Sequence, residues 1–585
     1  MYGLNKLYLL MQKQHNRGQD GAGLAAVKLH VEPGSPFLYR IRSNASQPLA
    51  DLFFKIGQEV AELEEYQPDI MQHPGLMKGH LPFMGELLLG HLRYGTQGKN
   101  NVEFCHPFIK RDIQPGKNLV LAGNFNLVNT EELFNRLNIE PKEFQKQSDL
   151  AAMMETIHYF LCEEDELKPN AANISGVLKK AVPLFDGGYT FSGLTGNGYS
   201  FVMRDAHGIR PAYYYINEDF IVAASERAAI RTTFNVGKNQ VQELMPGNAL
   251  IIEDNGNYKI EQIIEPKERK ACSFERIYFS RGSDEKIYRE RISLGYRLSF
   301  RVLEAINHDL KNTIFSYIPN TAEVAFYGLV KGMEDYLNQR KIARILSWGN
   351  NIDPDKLTEL INRKIRQEKI AIKDVKLRTF ITEDSSRNEM VQHVYDITYG
   401  TVRNNEDTLV VIDDSIVRGT TLKQSIIRML ARLRPKKIII VSSAPQIRYP
   451  DCYGIDMSKL GDFIAFRAAI ALLKERGMEN IITNALNKCK ELQHANLLHT
   501  ENVVKQIYTP FTAEEISCKI AQLVTADDVD IPVQIIYQNI EDLHQSCPTN
   551  LGDWYFTGNY PTPGGNRVCN KAFLNFMEGK NVRGY

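Results

Sequence analysis

The chain has 585 residues, which is too long for a single hydrophobic core and predicts two or three domains. Its 70 basic and 70 acidic residues cancel, so the composition excludes an overall field that would draw the chain to nucleic acid or anionic membrane. The longest apolar runs are strand-sized, far short of the roughly 20 residues that a bilayer-spanning helix needs, and no secretion signal is recognisable. We therefore expect a cytoplasmic protein.

Residues 1 to about 265 read as short strands broken by Gly, Asn and Pro, with two helical stretches at 1–14 and about 147–163. Strands with a few helices packed outside them predict a layered α+β domain. The polar stretch EPKERKACS, 265–273, marks the expected boundary of this domain.

From about residue 274 the pattern changes to strands that alternate with helices. LVVIDD (409–414) reads as a buried strand, an amphipathic helix follows, Pro435 ends that helix, and KKIIIVSS (436–443) begins the next strand. This is a βαβ unit, so we expect a parallel sheet with its ligand crevice beyond the carboxyl ends of the strands. The stretch 331–372 is helical and basic and reads as an excursion from this sheet.

The stretch VVIDDSIVRGTT, 410–421, carries the strongest chemical signal. A strand ends in two acids, and Gly419, Thr420 and Thr421 then lead directly into a helix, so backbone N–H groups and the helix N-terminus favour a phosphate there. Acids beside a phosphate fit a ligand that also carries hydroxyls or a divalent cation. The alternative is an acidic loop that merely caps the helix.

This stretch closely resembles the phosphoribosyl-pyrophosphate (PRPP) loop of type I phosphoribosyltransferases, in the form found in the amidophosphoribosyltransferase family. The resemblance implies that Asp413 and Asp414 contact the ribose hydroxyls and help place Mg²⁺, and that the loop holds the 5′-phosphate. The implied PRPP-binding loop residues are Ser415, Ile416, Val417, Arg418, Gly419, Thr420 and Thr421. IPNTAE (318–323) resembles a further family segment and implies Thr321 as a third metal-linked position, a plain strand-end turn being the alternative. KLRTFI (376–381) implies Lys376 and Arg378 as cations for the pyrophosphate.

Four segments of the first half resemble, in order and spacing, class II glutamine amidotransferase domains. They are NRGQDGAG (16–23), GHLRYGTQG (90–98), LAGNFNLVN (121–129) and SDL (148–150). The resemblance implies that Arg93 and Asp149 hold the α-carboxylate and α-amine of glutamine, and that Asn124 and the backbone N–H of Phe125 form an oxyanion hole. Phe125 replaces the usual Gly, and a position that needs a positive φ would disfavour Phe.

The family nucleophile is an N-terminal cysteine on a strand that leads into a helix like LYLLMQKQ. Here the helix follows Met1 directly, and a thioether cannot form a thioester, so we expect the chain as given to be nearly inactive toward glutamine. Either a Cys-Gly segment is encoded upstream of Met1, or glutamine chemistry has been lost and free ammonia is used.

The eight cysteines form no CxxC pair, so we expect neither a disulfide framework nor a zinc site. Some family members hold an iron–sulfur cluster. Cys272 matches one ligand position and Cys452 lies next to another, but Gly552 and Tyr555 stand at the other two, and we predict no cluster.

The resemblance thus predicts α/β and α+β architecture: an Ntn-hydrolase-like four-layer αββα glutaminase domain without its first strand (1–268), a type I phosphoribosyltransferase parallel-sheet domain (269–510) and a C-terminal extension packed on it (511–585). The implied reaction transfers ammonia from glutamine to PRPP with Mg²⁺, giving 5-phosphoribosylamine for purine biosynthesis. An ammonia-dependent or inactive PRPP-binding homologue is the alternative. The resemblance also implies a homo-oligomer and purine nucleotides as feedback inhibitors, with no nucleic acid or membrane partner.

Overall fold

A computed structural model describes residues 1–95, 101–140, 148–167, 173–373, 395–455, 457–580 and 582–584. The helices of the first half are α1 (Tyr2–Lys13), α2 (Pro48–Tyr66), α3 (Pro74–His80), α4 (Thr130–Arg136), α5 (Asp149–Leu167), α6 (Ile174–Ala181) and α7 (Arg227–Phe234). Its strands are β1 (Gly21–Val27), β2 (Leu38–Ser43), β3 (Leu87–Arg93), β4 (Phe108–Lys110), β5 (Leu119–Leu127), β6 (Gly187–Thr195), β7 (Ser200–Arg204), β8 (Tyr213–Ile216), β9 (Ile221–Ala224), β10 (Gln242–Glu243), β11 (Asn248–Ile252) and β12 (Tyr258–Gln262).

The second half begins with a π-helical segment, Glu275–Phe279. Its helices are α8 (Glu285–Ala305), α9 (Glu323–Ser347), α10 (Pro354–Asn362), α11 (Ile427–Ala431, preceded by a π-helical turn at Leu422–Ile426), α12 (Ile464–Glu475), α13 (Glu479–His494), α14 (Lys505–Tyr508), α15 (Ala513–Val524), α16 (Ile540–Ser546), α17 (Trp554–Thr557) and α18 (Pro563–Met577). Its strands are β13 (Thr313–Tyr317), β14 (Arg366–Gln367), β15 (Ala371–Lys373), β16 (Tyr395–Ile397), β17 (Thr408–Asp413), β18 (Lys437–Ser442) and β19 (Val533–Tyr537).

The first half is a four-layer sandwich, as predicted. One inner layer is an antiparallel six-stranded sheet in the order β12-β11-β7-β6-β5-β4, and the other consists of two three-stranded sheets, β2-β1-β3 and β10-β8-β9. Apolar clusters fill the space between the layers: Leu24 and Ala26 of β1 face α1 and α2, while Ala25 and Val27 face Val120 of β5. This alternation follows from the two-residue period of a strand, which sends neighbouring side chains to opposite faces.

The first half contains more helices than the two that the sequence pattern indicated. Both predicted helices are present, as α1 and α5, but α2 also covers the β2-β1-β3 sheet and buries Leu49, Leu52 and Ile56. Only these few apolar residues of α2 face the core, and the helix ends in the acidic run ELEEY. Its apolar repeat is therefore weak in the sequence, which is why the pattern does not indicate this helix.

The second half is built on a parallel five-stranded sheet in the order β14-β13-β17-β18-β19, which confirms the predicted βαβ architecture. The central strands β17 and β18 are nearly continuous apolar runs because helices cover both faces of the sheet. The helix α9 starts at Glu323, before the predicted excursion, and its buried residues end at Met333. The rest of α9 and α10 then extend away from the sheet.

The chain between the two halves is paired with both of them. Lys267 and Lys270 donate backbone hydrogen bonds to Ala206 and His207 of the first half, at 2.9 Å each, and Ser273 donates one to Gly552 near the C-terminus, also at 2.9 Å. The C-terminal region contributes β19 to the parallel sheet, and Arg567 of α18 pairs with Glu132 of α4. Within the described residues, no helix is long and apolar enough to cross a membrane.

Candidate active sites

A cavity of about 320 Å³ lies inside the first half. Its lining includes β3 (Leu88–Arg93), the end of β9 (Ala223, Ala224), residues of α1 and β5, and Phe279 and Gly454 of the second half. All four residues predicted to handle glutamine line it: Arg93, Asn124, Phe125 and Asp149. The structure therefore brings together, from three separate segments, the groups that the sequence comparison selected.

The backbone N–H of Phe125 points to the side of β5 that faces His106 and Asp149. In a strand every second N–H points the same way. The N–H of Gly123 approaches Nδ1 of His106 at 3.4 Å, and the N–H of Leu127 donates to Oδ2 of Asp149 at 3.0 Å. The N–H of Phe125, between them in the period, therefore faces the gap between His106 and Asp149.

The expected conflict between Phe125 and a positive φ does not arise. Phe125 pairs in regular antiparallel register with Tyr189 of β6, and it is absent from the described non-glycine residues with positive φ. An extended backbone with negative φ accommodates a phenylalanine side chain without strain. A position that needs a positive φ would disfavour Phe, and the position of Phe125 in a regular strand does not need one.

Asp149 stands at the first turn of α5 and is partly exposed to the cavity. Burial raises the pKa of its carboxyl to about 6, although the hydrogen bond from the Leu127 N–H opposes this. Arg93 is 6% exposed, and its guanidinium lies 5.9 Å from the ring centre of Phe104. The cavity thus holds a cation and a carboxyl group at separate places, as recognition of an amino acid's two charges requires.

Two histidines that were not selected from the sequence also shape this cavity. The rings of His91 and His106 lie 4.3 Å apart, and Nε2 of His91 approaches the carbonyl oxygen of Gly123 at 3.1 Å. Burial lowers the pKa of His91 to about 4 and that of His106 well below its usual value, so both imidazoles are neutral at pH 7. His91 lies within the GHLRYG segment, and that membership was the available signal.

The strands β3 and β9 each have one edge without a strand partner among the described residues, and both edges border the cavity. The effect is visible in burial. Every residue of β1, which has a partner on both sides, is buried, whereas six of the seven residues of β3 are only half-buried although the strand reads LLLGHLR. The apolar side of β3 is therefore incompletely covered.

The predicted phosphate loop begins where β17 ends, in the middle of the parallel sheet. The Asp413 carboxylate accepts the N–H of Asp414 at 2.9 Å, and the Asp414 carboxylate accepts the hydroxyl of Ser415 at 2.9 Å. Ser443, at the end of the adjacent strand β18, donates its hydroxyl to the carbonyl of Asp414 at 3.0 Å. The two acids are thus fixed at the carboxyl edge of the sheet, as predicted.

The rest of the loop combines a buried anchor with an exposed rim. Ile416 is buried, the carbonyl of Val417 accepts the N–H of Ile464 at 2.9 Å, and Arg418 pairs with Asp462 at 3.4 Å. Thr420 and Thr421 are exposed where the helix starts. This arrangement leaves the threonine hydroxyls and the first turn of the helix open to a ligand.

Gly419 is at a position that only glycine fits. Its φ is +72°, and a Cβ would lie 2.9 Å from Cγ1 of Val524 and 3.2 Å from Cγ1 of Ile464. Both the left-handed conformation and the close packing against α12 and α15 exclude a side chain. The loop geometry therefore depends on this residue.

Thr321 follows β13, the neighbour of β17, and its hydroxyl hydrogen-bonds the Asp414 carboxylate. Burial raises the pKa of Asp414 to about 6, and burial together with repulsion by the Asp414 carboxylate raises the pKa of Asp413 well above its usual value. The buried Arg291 of α8 lowers the pKa of Asp414, and no sequence pattern indicates this role. Lys376 and Arg378 lie outside the described residues.

The π-helical segment Glu275–Phe279 connects the two sites. The buried Glu275 pairs with Arg17 at 2.5 Å and Arg210 at 2.9 Å, and despite burial these cations lower its pKa to about 2. Burial and the nearby Asp414 raise the pKa of Tyr278, while the next residue, Phe279, lines the cavity. Adjacent residues of one segment therefore border both sites.

Comparison with known proteins agrees with this geometry. A model described as "glutamine amidotransferase domain" matches residues 106–232. The amidophosphoribosyltransferase of Pseudomonas aeruginosa is 27% identical over 452 residues, covering 72% of this chain and 81% of its own length. That of Bacillus subtilis is 27% identical over 479 residues, covering 81% and 82%. The chain is thus similar over most of its length to amidophosphoribosyltransferases.

Solved structures extend the likeness to the whole fold. The B. subtilis glutamine PRPP amidotransferase complexed with ADP and GMP superposes with a TM-score of 0.61 at 22% identity, covering 95% of this chain and 94% of that one. A structure described as the allosteric regulatory enzyme of purine biosynthesis gives 0.63 at 22% identity, covering 95% and 93%. Both halves of the fold are therefore shared with the amidophosphoribosyltransferase family.

Three positions that resemble iron–sulfur ligand positions lie together in this chain: Cys272, Gly552 and Tyr555. The two C-terminal ones, Gly552 and Tyr555, carry no thiol. Cys272 forms an isolated bridge with Gly552, and its Sγ lies 3.4 Å from the hydroxyl of Tyr555. That hydroxyl also lies 2.9 Å from the Ser273 hydroxyl and accepts the N–H of Phe274 at 2.8 Å. Tyr555 thus stabilises this junction by hydrogen bonds, and the absence of a cluster remains a prediction.

Proposed function

We propose that the chain transfers ammonia to PRPP, forming 5-phosphoribosylamine and pyrophosphate, the first committed step of purine biosynthesis. With glutamine as the nitrogen source, water is consumed and glutamate is released. The observation that carries this proposal is the pairing of two sites: an acidic phosphate loop at the carboxyl edge of a parallel sheet, and a cavity lined by Arg93, Asn124, Phe125 and Asp149, joined through Tyr278 and Phe279.

In the amide half, Arg93 binds the glutamine α-carboxylate and Asp149 its α-ammonium group. Asn124 and the N–H of Phe125 donate hydrogen bonds to the oxyanion that develops on the amide carbon, a role worth about 10²–10³ in rate for one donor. The neutral His91 and His106 both hydrogen-bond the backbone of Gly123, and they hold this part of β5 in place. They keep the donors in place without adding charge.

In the transferase half, the helix start at Thr420 and Thr421 and the backbone of Ser415–Gly419 bind the 5′-phosphate. Asp413 and Asp414 accept the ribose hydroxyls and, with Thr321, offer the oxygen ligands that Mg²⁺ prefers. Mg²⁺ neutralises the pyrophosphate when it is bound. Lys376 and Arg378 are proposed to contact the same leaving group.

The residue that acts as the nucleophile is the one role of the amide half still to be assigned. Among the described residues that line the cavity there is no cysteine, and the two unpartnered edges of β3 and β9 face it. We propose that an extended Cys-Gly strand of about six residues, roughly 20 Å long, pairs with both edges and places its cysteine beside Asn124. Such a strand would also cover the half-buried apolar side of β3.

The same observation favours a second reading, in which the chain as given uses ammonia directly. A lost nucleophile costs about 10⁶ in a protease example, so glutamine would be a very poor substrate while the transferase half stays active. Purine nucleotides as inhibitors, assembly into a homo-oligomer and a cytoplasmic location are further proposals drawn from the family.

The test is pyrophosphate release from PRPP with Mg²⁺, using ammonium and then glutamine. We expect turnover with ammonium, and with glutamine only after Cys-Gly and four apolar residues are added ahead of Met1. The matched control carries Ser-Gly in the same extension and should remain inactive with glutamine. Failure with both nitrogen sources in every chain would contradict the enzyme and support a PRPP-binding protein.

A further inference from the structure

A second cluster of metal-ligating side chains lies on the outer face of the first half. Asp112, His158 and Cys162 each offer one ligand atom, and these atoms all lie within 4.8 Å of one another. His158 and Cys162 are four residues apart on α5, so the helix places them on the same face. Asp112 approaches from the loop after β4.

The distances suit a small tetrahedral ion. Sγ of Cys162 lies 3.8 Å from the nearest nitrogens of His158. With Zn–S of about 2.3 Å and Zn–N of about 2.05 Å, a tetrahedral angle separates the two ligand atoms by about 3.6 Å. Sγ is equally far from both ring nitrogens, so the imidazole must rotate to point one nitrogen at the ion, while the separation itself is already close to the required one.

The loop that supplies Asp112 is held in place by one buried side chain. Asn118, at 4% exposure, donates to the carbonyls of Asp112, Gln114 and Pro115 at 3.1, 3.0 and 3.2 Å. The Asp112 carboxylate in turn accepts the N–H of Gln114 at 2.9 Å. Such hydrogen bonds orient a ligating carboxylate before the ion arrives, as supporting contacts do in known metal sites.

The electrostatic surroundings allow a cation to bind. His158 faces two cations, Lys110 and Lys117, whose charges are offset by Glu155 and Asp112. Lys110 itself is paired with Glu155 at 2.9 Å. Thiolate, imidazole and carboxylate together favour zinc-like ions over Mg²⁺ or Ca²⁺, which prefer oxygen ligands.

We propose that Asp112, His158 and Cys162 bind a divalent transition metal, best matched by Zn²⁺, with water as a fourth ligand. This differs from the expectation that scattered cysteines exclude a zinc site, because the pair His158–Cys162 is local and the third ligand comes from a neighbouring loop. The site lies about 14–20 Å along α5 from Asp149, so it ties a loop to the helix whose first turn lines the glutamine cavity.

Cobalt titration of the purified chain tests the site, since Co²⁺ replaces Zn²⁺ and a bound thiolate gives a near-ultraviolet charge-transfer band. We expect one Co²⁺ per chain with this band, and its loss when Zn²⁺ is added. Cys162→Ser should remove the band, and His158→Gln should weaken Co²⁺ binding at least about tenfold. Asp112→Asn should weaken binding but keep the band.

The matched control is Cys518→Ser, which removes an exposed cysteine on α15 and should leave the titration unchanged. Circular dichroism of each variant separates lost binding from lost folding, and so does ammonium-driven turnover, which depends on the other half. A titration without a thiolate band in the unaltered chain, or a band that persists in Cys162→Ser, would overturn the proposal.

Discussion

The two candidate sites are assembled in different ways. The phosphate site is almost entirely one continuous strand, loop and helix, Thr408 to Ala431, with Thr321 added from the neighbouring strand. The amide site is collected from β3, β5 and the first turn of α5, around a cavity between two separate three-stranded sheets. A site made from one segment keeps its geometry as long as that segment folds, whereas a collected site depends on every layer around it.

The difference has a structural counterpart in the sheets. The strands β17 and β18 have partners on both sides, and their interior residues are fully buried. The strands β3 and β9 are edges that face a cavity, so the site they border can change with whatever pairs with them. We therefore expect changes in the connection between the halves to affect both sites, and changes inside each half to affect one.

The largest effect should come from Glu275→Gln in the connection. Glu275 is buried between Arg17 and Arg210, and removing its charge takes this carboxylate from the buried Arg210 and leaves Arg17 with Glu226 alone. Breaking a buried ion pair from one side costs about 3–5 kcal/mol, so urea unfolding should show a loss of that size. Turnover with either nitrogen source should fall as well.

The control for this variant is Glu285→Gln, whose carboxylate pairs at the surface with Lys238. Exposed pairs contribute about 0–1 kcal/mol, so this change should be nearly neutral. Equal losses in the two variants would mean that the connection has no special role.

Asp414→Asn should separate the halves most clearly. It removes one of the two carboxylates at the end of β17, and we expect ammonium-driven pyrophosphate release to fall at least about 100-fold. Glutamine binding, measured by calorimetry, should not change, because the four residues proposed to bind glutamine all belong to the other half. The control is Asp528→Asn, which changes an exposed carboxylate that pairs with Arg428 at the surface. Weaker glutamine binding in Asp414→Asn would show that the sites are not independent.

The phosphate site could be predicted more completely from the sequence than the amide site, because one is a continuous segment and the other is collected from several. The acids, Gly419 and the helix start are neighbours in the chain, so their spacing favoured a phosphate loop over a helix-capping loop only in part, and the resemblance of the continuous string 410–421 completed the prediction. Arg93, Asn124 and Asp149 could be selected only by resemblance, since nothing local brings them together. Their neighbours His91 and His106, and Arg291 beside Asp414, are close only after the layers pack, and sequence periodicity does not carry that information.

Gly419→Ala tests how far the phosphate loop depends on its packing. The added Cβ would lie 2.9 Å from Val524, so the loop or α15 must shift, at a cost of about 1–3 kcal/mol in the free energy of unfolding. PRPP binding should weaken because the backbone donors move. Gly349→Ala has a similar positive φ, +55°, but open space around it, and isolates the conformational cost. If both variants lose the same stability, packing at Gly419 is unimportant.

The smallest effect is expected from pH in the amide half. Asp149 must be ionised to bind an ammonium group, and burial raises its pKa to about 6, so glutamine binding should weaken about tenfold per pH unit below 6. Burial lowers the pKa of His91 to about 4 and that of His106 well below its usual value, so neither imidazole accounts for a slope near pH 6. Calorimetric titrations from pH 5 to 7 measure this slope, and Asp149→Asn should abolish it.

The same carboxyl gives the free protein an opposite trend in stability. Because its folded pKa exceeds the unfolded value of 3.8, the unfolded chain ionises first, and the contribution of Asp149 to stability is lost as the pH rises from about 4 to 6. Asp149→Asn should remove this decline, leaving the variant relatively more stable at pH 7. A binding slope without the stability slope would assign the titration to another group in the cavity, and the amide site would then have to be assembled differently from the one described here.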